Sequence, residues 1–170
     1  MSNKVESYRH KTRAVIFLMS AAIKAIYGSR RTLIIDHSFG DGYYCVLKEQ
    51  KRISSHDLNA INQKMHNLQA DAKHIKIRAA KPEDWKHLLT PRINTIRPPV
   101  LMLGDHISAS YEFTNLDLSA LPHFELMQYD RGFLLRISEN GDELGDYSDS
   151  PQLFGMMKEH EKWGDRKSVV

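Results

Sequence analysis

Between Arg9 and Leu47 the chain reads RHKTRAVIFLMSAAIKAIYG and then SRRTLIIDHSFGDGYYCVL. In the first part Ala14, Val15, Ile16, Phe17, Leu18, Met19, Ala21, Ala22, Ile23, Ala25 and Ile26 are apolar. They leave one polar stripe, Arg13, Ser20 and Lys24, whose members nearly superimpose at the α-helical period. The pattern predicts a helix from about His10 to Tyr27, with Gly28 as its C-cap. A helix this apolar must be covered on most sides, so it is expected to lie against a sheet in the middle of the domain. It is too short for a bilayer, which needs about 20 apolar residues. The second part alternates as two strands, Thr32 to His37 and Tyr43 to Leu47, joined at the turn Gly40-Asp41-Gly42.

Further along, Ser54 and Asp57 read as a helix start, and Leu58, Ile61, Met65 and Leu68 give the helix one apolar face. Residues Lys73 to Ala79 alternate as a half-exposed strand, and Pro82, Glu83 and Asp84 open a short helix carrying Trp85, Leu88 and Leu89. Residues 90–99, with three prolines, read as a surface connection within one domain. Strands are expected at Val100 to Leu103 and through Ile107, Ala109, Tyr111 and Phe113. A hairpin is expected from Phe124 to Ile137 about Asp130-Arg131-Gly132. The acidic run Glu139 to Asp149 reads as a solvated loop, because it lacks the ligand spacing of a calcium loop. Pro151 starts a last helix with Leu153, Met156 and Met157 on one face. The whole is a single α+β domain over residues 1–170, with 1–8 and 165–170 loose.

Composition narrows the class. An apolar share of 41% and a charged share of 26% are those of an ordinary globular chain. The single cysteine, Cys45, excludes an internal disulfide and a cysteine-cluster metal site and fits a reducing cytoplasm. The polar start MSNKVESYRHK lacks the pattern of a signal peptide, and no membrane span is expected. The net charge of +3 hides a split: residues 1–97 hold 18 Lys/Arg against 8 Asp/Glu, and residues 98–170 hold 6 against 13. Such a split either marks an anion-binding face or is cancelled by pairing between the halves. Gly40-x-Gly42 is no dinucleotide fingerprint, because it lacks the third glycine and precedes a strand.

Several segments also carry a resemblance. They are RHKTRAVIFLMSAAIK, then IIDHSFGDGYYC with His37, Ser38, Gly42, Tyr43, Tyr44 and Cys45, then HFELMQYDRGFLLRI and QLFGMMKEHEKWG. In that order they resemble the editing (second additional) domain of threonyl- and alanyl-tRNA synthetases. The version that precedes the kinase domain of uridine-kinase-like bacterial proteins is especially similar. The likeness covers about residues 9 to 163. It implies an α+β fold with a central apolar helix packed on a largely antiparallel sheet, threonyl-tRNA-synthetase editing-domain-like.

In that family the core helix carries His-x-x-x-His, whose members share one helix face, and a later Cys-x-x-x-His closes a metal or catalytic-water site. Aligned on Ala22-Ile23-Lys24, the first pair falls at Arg13 and Phe17; aligned on Phe124 to Met127, the second falls at Ser110 and Thr114. All four positions are replaced by groups that bind zinc poorly or not at all. The resemblance therefore implies no zinc, no cofactor and no family-type hydrolysis. His10, three residues before Arg13, is an outside candidate for a rearranged metal site.

What survives is an anion-binding cleft. Arg13 in place of a histidine suits phosphate or carboxylate, and Lys24 lies three turns along the same stripe. Arg31 and Tyr44, with Arg30 and Tyr43, fall near the helix exit and the hairpin, and Ser110 and Thr114 complete the candidate ligand-binding set. Basic groups interleaved with aromatics suit single-stranded RNA or a nucleotide end. The alternative is structural: Tyr43 and Tyr44 alternate between core and surface, and Arg13 sits in water. A Cys45–His37 nucleophile would need a register that brings the two together.

Three functional readings follow. One is a non-catalytic binding module whose ligand is a tRNA or other RNA end, a nucleotide or a protein partner. Another is an accessory N-terminal domain of a uridine-kinase-like protein, whose partner is the kinase domain; these residues contain no G-x-x-x-x-G-K-[ST] loop. The third is a metal-independent aminoacyl-tRNA ester hydrolase, with Thr114, His106 or a substrate hydroxyl positioning water.

Overall fold

The structure is a computed structural model that describes residues 2–39, 42–71, 76–78, 100–103, 106–109, 118, 121–138 and 143–167. Helix α1 spans Ser2–Tyr27 and is apolar nearly all round from Ala14 to Ile26. Val15, Leu18, Met19, Ala22 and Ile23 are buried, while Arg13 and Lys24 are exposed. It starts at Ser2 rather than near His10, so the arm expected to be loose is helical. No glycine or proline interrupts the sequence before Tyr27, and Tyr8 already packs against the core. Gly28, at φ +62°, ends the helix in the left-handed conformation that its position demands.

After a 3₁₀ turn at Gly28–Arg30, strands β1 (Leu33–Phe39) and β2 (Gly42–Leu47) pair antiparallel, with Leu33 opposite Leu47. Helix α2 (Ser55–Asp71) starts in a reciprocal cap. The Asp57 backbone N–H donates to Ser54 Oγ at 3.1 Å, and the Ser54 N–H and hydroxyl donate to Asp57 Oδ2 at 3.3 and 2.8 Å. Leu58, Ile61 and Met65 form its buried face. Strands β3 (Lys76–Arg78), β4 (Val100–Leu103) and β5 (His106–Ala109) form a small antiparallel sheet. Strands β6 (Phe124–Tyr129) and β7 (Gly132–Ile137) form the expected hairpin, turned at Asp130 with φ +48°. Helix α3 runs from Pro151 to Lys167, past the point where looseness was expected.

The larger sheet has the order β1-β2-β7-β6 and is antiparallel throughout. Strand alternation gives it two apolar faces. Cys45, Leu47, Phe133, Leu135 and Ile137 join the core built with α1 and α2, and Tyr44, Val46 and Leu134 join a second cluster under α3. Leu103 and Leu118 enter the first cluster. On a further side of α1, the Phe17 ring meets His106 of β5 at 5.0 Å. The α+β class and the central apolar helix are as the pattern implies.

One reading on the α3 side needs correction. Leu153 and Met156 do not face inward with Met157; they are 47% and 62% exposed. Phe154 and Met157 cover the sheet instead. Phe154 packs edge-on against Tyr44 and Tyr129 at 5.0 and 4.9 Å, and Lys158 Nζ donates to Asp130 Oδ2 at 2.5 Å. These contacts from distant strands set the rotation of the helix. The described part of the acidic run, 143–150, is an exposed loop, as expected, and it is anchored at two points. Arg136, only 4% exposed, donates to the Gly145 carbonyl at 2.6 Å and to Glu125 at 3.1 Å. Asp149 Oδ1 accepts from the hydroxyls of Tyr129 and Tyr147. Residues 82–89, 90–99 and 110–114, where a short helix, a connection and the end of a strand are expected, lie outside the described residues.

Candidate functional site

Arg13, Phe17, Ser20 and Lys24 are spaced by four, three and four residues, so they share one face of α1. The two cations are exposed and stand about 16 Å apart along the axis. Between them Phe17 is buried, and the His106 ring lies tilted against it at 44°. His106 Nε2 is buried and makes no hydrogen bond. Burial, and then the charge of Lys24, push the His106 imidazole down to about 4, so it is neutral at pH 7. Lys24 Nζ donates to Ser29 Oγ at 2.8 Å, which steadies the cation at the helix exit. The arrangement is a basic stripe with an aromatic, uncharged centre. It suits an extended anion with a flat or apolar middle.

The other residues expected in the cleft do not all meet here. Arg31 is engaged elsewhere: it donates to Gln50 Oε1 at 2.5 Å, lies over the Tyr27 ring at 4.1 Å and stands 3.8 Å from Asp57. It ties the helix exit to α2. Tyr44 is 3% exposed and points to the α3 face of the sheet, opposite to α1. Tyr43, one residue earlier, faces the α1 side. Ser110 and Thr114 lie outside the described residues. His106 enters the stripe through strand placement, and no local pattern in the sequence marks it.

Among the described residues, no three of His, Cys, Asp and Glu gather closely enough to hold a metal ion. Among the described residues, the ion pairs Arg31–Asp57, Arg136–Glu125 and Lys158–Asp130 each join residues of one half of the split. No described helix is long and apolar enough to cross a membrane.

A Cys45–His37 nucleophile is not assembled. A bulge after Ile35 puts His37 opposite Tyr44 and Ile35 opposite Cys45, and His37 Nδ1 is 2.8 Å from Asp36. Cys45 is buried; its Sγ donates to the Tyr43 carbonyl at 3.5 Å, and burial pushes the thiol up to about 12. Iodoacetamide at neutral pH is therefore expected to leave Cys45 unmodified in the folded chain and to label it fully in denaturant, read by intact mass. Rapid native labelling would contradict this burial.

Neither a protein-family model nor a curated protein matches this chain.

Proposed function

We propose that the chain is a non-catalytic binding module that holds a single-stranded RNA end along the exposed stripe of α1. The observation that carries the reading is the joint exposure of Arg13 and Lys24 at the two ends of a stretch, Ala14 to Ile23, that is buried or half-buried throughout, on either side of the Phe17–His106 pair. The cations suit phosphates, and between them the half-buried His106 ring, backed by the buried Phe17, is the aromatic group a base or ribose would meet. The resemblance to tRNA-synthetase editing domains supports the same reading, because Arg13 and Phe17 stand where that family carries its first two histidines. The excess of basic residues in 1–97 adds long-range attraction for a polyanion.

One observation favours a second reading, a metal-independent aminoacyl-ester hydrolase. A neutral imidazole with an unsatisfied nitrogen is the kind of group that orients a water.

The test is binding of bulk tRNA and of a short acceptor-stem RNA across a salt series. Wild type is expected to bind at low salt with a steep salt dependence. Arg13→Ala with Lys24→Ala is expected to weaken binding at least about tenfold and to reduce the log–log salt slope by about 1.5. No binding at low salt, or unchanged binding by the double variant, would remove RNA from this stripe. Loss of ester from charged tRNA faster than in buffer would move the reading to the hydrolase.

A further inference from the structure

The stripe of α1 ends at Lys24, and Ser29 joins Lys24 to the helix exit. Hydrogen bonds gather two further segments at this end of the domain. The Lys48 N–H donates to the Thr32 carbonyl at 3.0 Å, and Arg31 donates to the Gln50 side chain. The Ile53 N–H donates to the Arg131 carbonyl at 2.9 Å. The turn at 48–53 is thus held to the helix exit, 28–32, on one side and to the β6–β7 turn, 130–131, on the other.

Arg30, Lys48, Lys51, Arg52 and Arg131 in these segments are all exposed. The nearby carboxylates are engaged with other groups. Glu49 accepts from the Thr32 N–H and hydroxyl, Asp57 accepts from Tyr27, Gln50 and Ser54, and Asp130 pairs with Lys158. Among the described residues, none of the five exposed cations is in an ion pair. The surface is therefore strongly positive, and it is continuous with Lys24.

Its partner follows from what the surface lacks. Residues 28–32, 48–53 and 130–131 contain no aromatic side chain. The flanking rings of Tyr27 and Tyr129 lie against Arg31 and Phe154 at 4.1 and 4.9 Å. A single strand is held by stacking as well as by charge, whereas a duplex turns its bases inward and presents phosphates. We propose that this end of the domain seats a base-paired stretch of RNA adjoining the single-stranded end on the α1 stripe. The inference rests on that reading of the stripe and adds the direction in which the RNA leaves it, past Lys24.

The experiment compares three probes across a salt series: a hairpin RNA with a single-stranded overhang, the overhang sequence alone, and phosphatidylserine vesicles. Wild type is expected to bind the hairpin at least about tenfold tighter than the overhang alone. Lys48→Ala, Lys51→Ala and Arg52→Ala combined are expected to remove that gain and to lower the log–log salt slope for the hairpin by about 2 to 3. Overhang affinity should stay within about threefold of wild type, and the thermal midpoint should be unchanged. A hairpin bound no tighter than the overhang would overturn the proposal. So would a triple variant that weakens both RNAs alike, or one that loses the vesicles and keeps the hairpin. Each of these spares the stripe, provided that Arg13→Ala with Lys24→Ala still weakens the overhang. An overhang that wild type does not bind at low salt would overturn both.

Discussion

Replacing Gly132 with alanine is expected to abolish stable folding. A Cβ at this position would overlap the carbonyl oxygen of Cys45 and come within 2.8 Å of Val46 Cγ1. Gly132 is not in the left-handed region, so the requirement is close approach of two backbones rather than conformational freedom. Neither strand can retreat. β2 is packed on one face by the α1 cluster through Cys45 and Leu47, and on the other by the α3 cluster through Tyr44 and Val46. β7 lies between β2 and β6, and every one of its residues is buried. Shifting β7 outward would open gaps around Phe133 and Leu135, each fully buried. The expected cost is more than about 4 kcal/mol, a large part of the roughly 5–15 kcal/mol that holds a domain folded. Gly145→Ala is the control, since a Cβ there meets nothing within 4 Å, and it should change stability by less than about 0.5 kcal/mol. Urea denaturation of both variants checks the contrast; a cooperative transition of Gly132→Ala near the wild-type midpoint would refute the packing argument.

The elements were legible wherever the signal is local. The apolar run of α1, the Ser54–Asp57 cap, the face of α2 and the β6–β7 hairpin each follow from residues within a few turns of one another. Orientation was less legible, because contacts between distant segments set it. Alternation requires Tyr43 and Tyr44 to point to opposite faces of β2, yet it does not say which one meets α1. The spacing of Leu153, Met156 and Met157 allowed them one inward face, but Tyr44 and Tyr129 capture Phe154 and rotate α3 away from that arrangement.

The same distinction divides the candidate site. Arg13 and Lys24 share a helix face, so their relation could be read from spacing. Arg31 could not be placed that way, because its partner Asp57 arrives from another helix. The contact of His106 with Phe17 depends on where the small sheet lies against α1.

Asp57→Ala is expected to cost about 3 kcal/mol, lowering the thermal midpoint by roughly 6–12 °C. The carboxylate joins three parts of the chain. Tyr27 at the end of α1 donates to Oδ1 at 2.8 Å, Gln50 after β2 donates to Oδ2 at 2.9 Å, and Ser54 closes the cap of α2. Arg31 stands 3.8 Å away and also holds Gln50. Alanine would leave the Tyr27 hydroxyl and the Gln50 amide without their acceptor in a half-buried setting. Partial burial pushes the Asp57 carboxyl up, but the hydrogen bonds from Ser54, Gln50 and Tyr27 outweigh it and hold the group well below the usual carboxylate range. Its folded pKa therefore lies below the unfolded value of about 3.9. The stabilisation is fully present above that value and is lost as pH falls through it towards the folded pKa. Asp57→Asn keeps the shape without the charge, so the gap between wild type and this variant should be widest near pH 7 and narrow as the pH drops below about 4. Denaturant titrations across that range measure the gap. A gap that stays constant with pH would mean that the carboxylate's charge contributes nothing, and that its role in joining α1, β2 and α2 is one of shape alone.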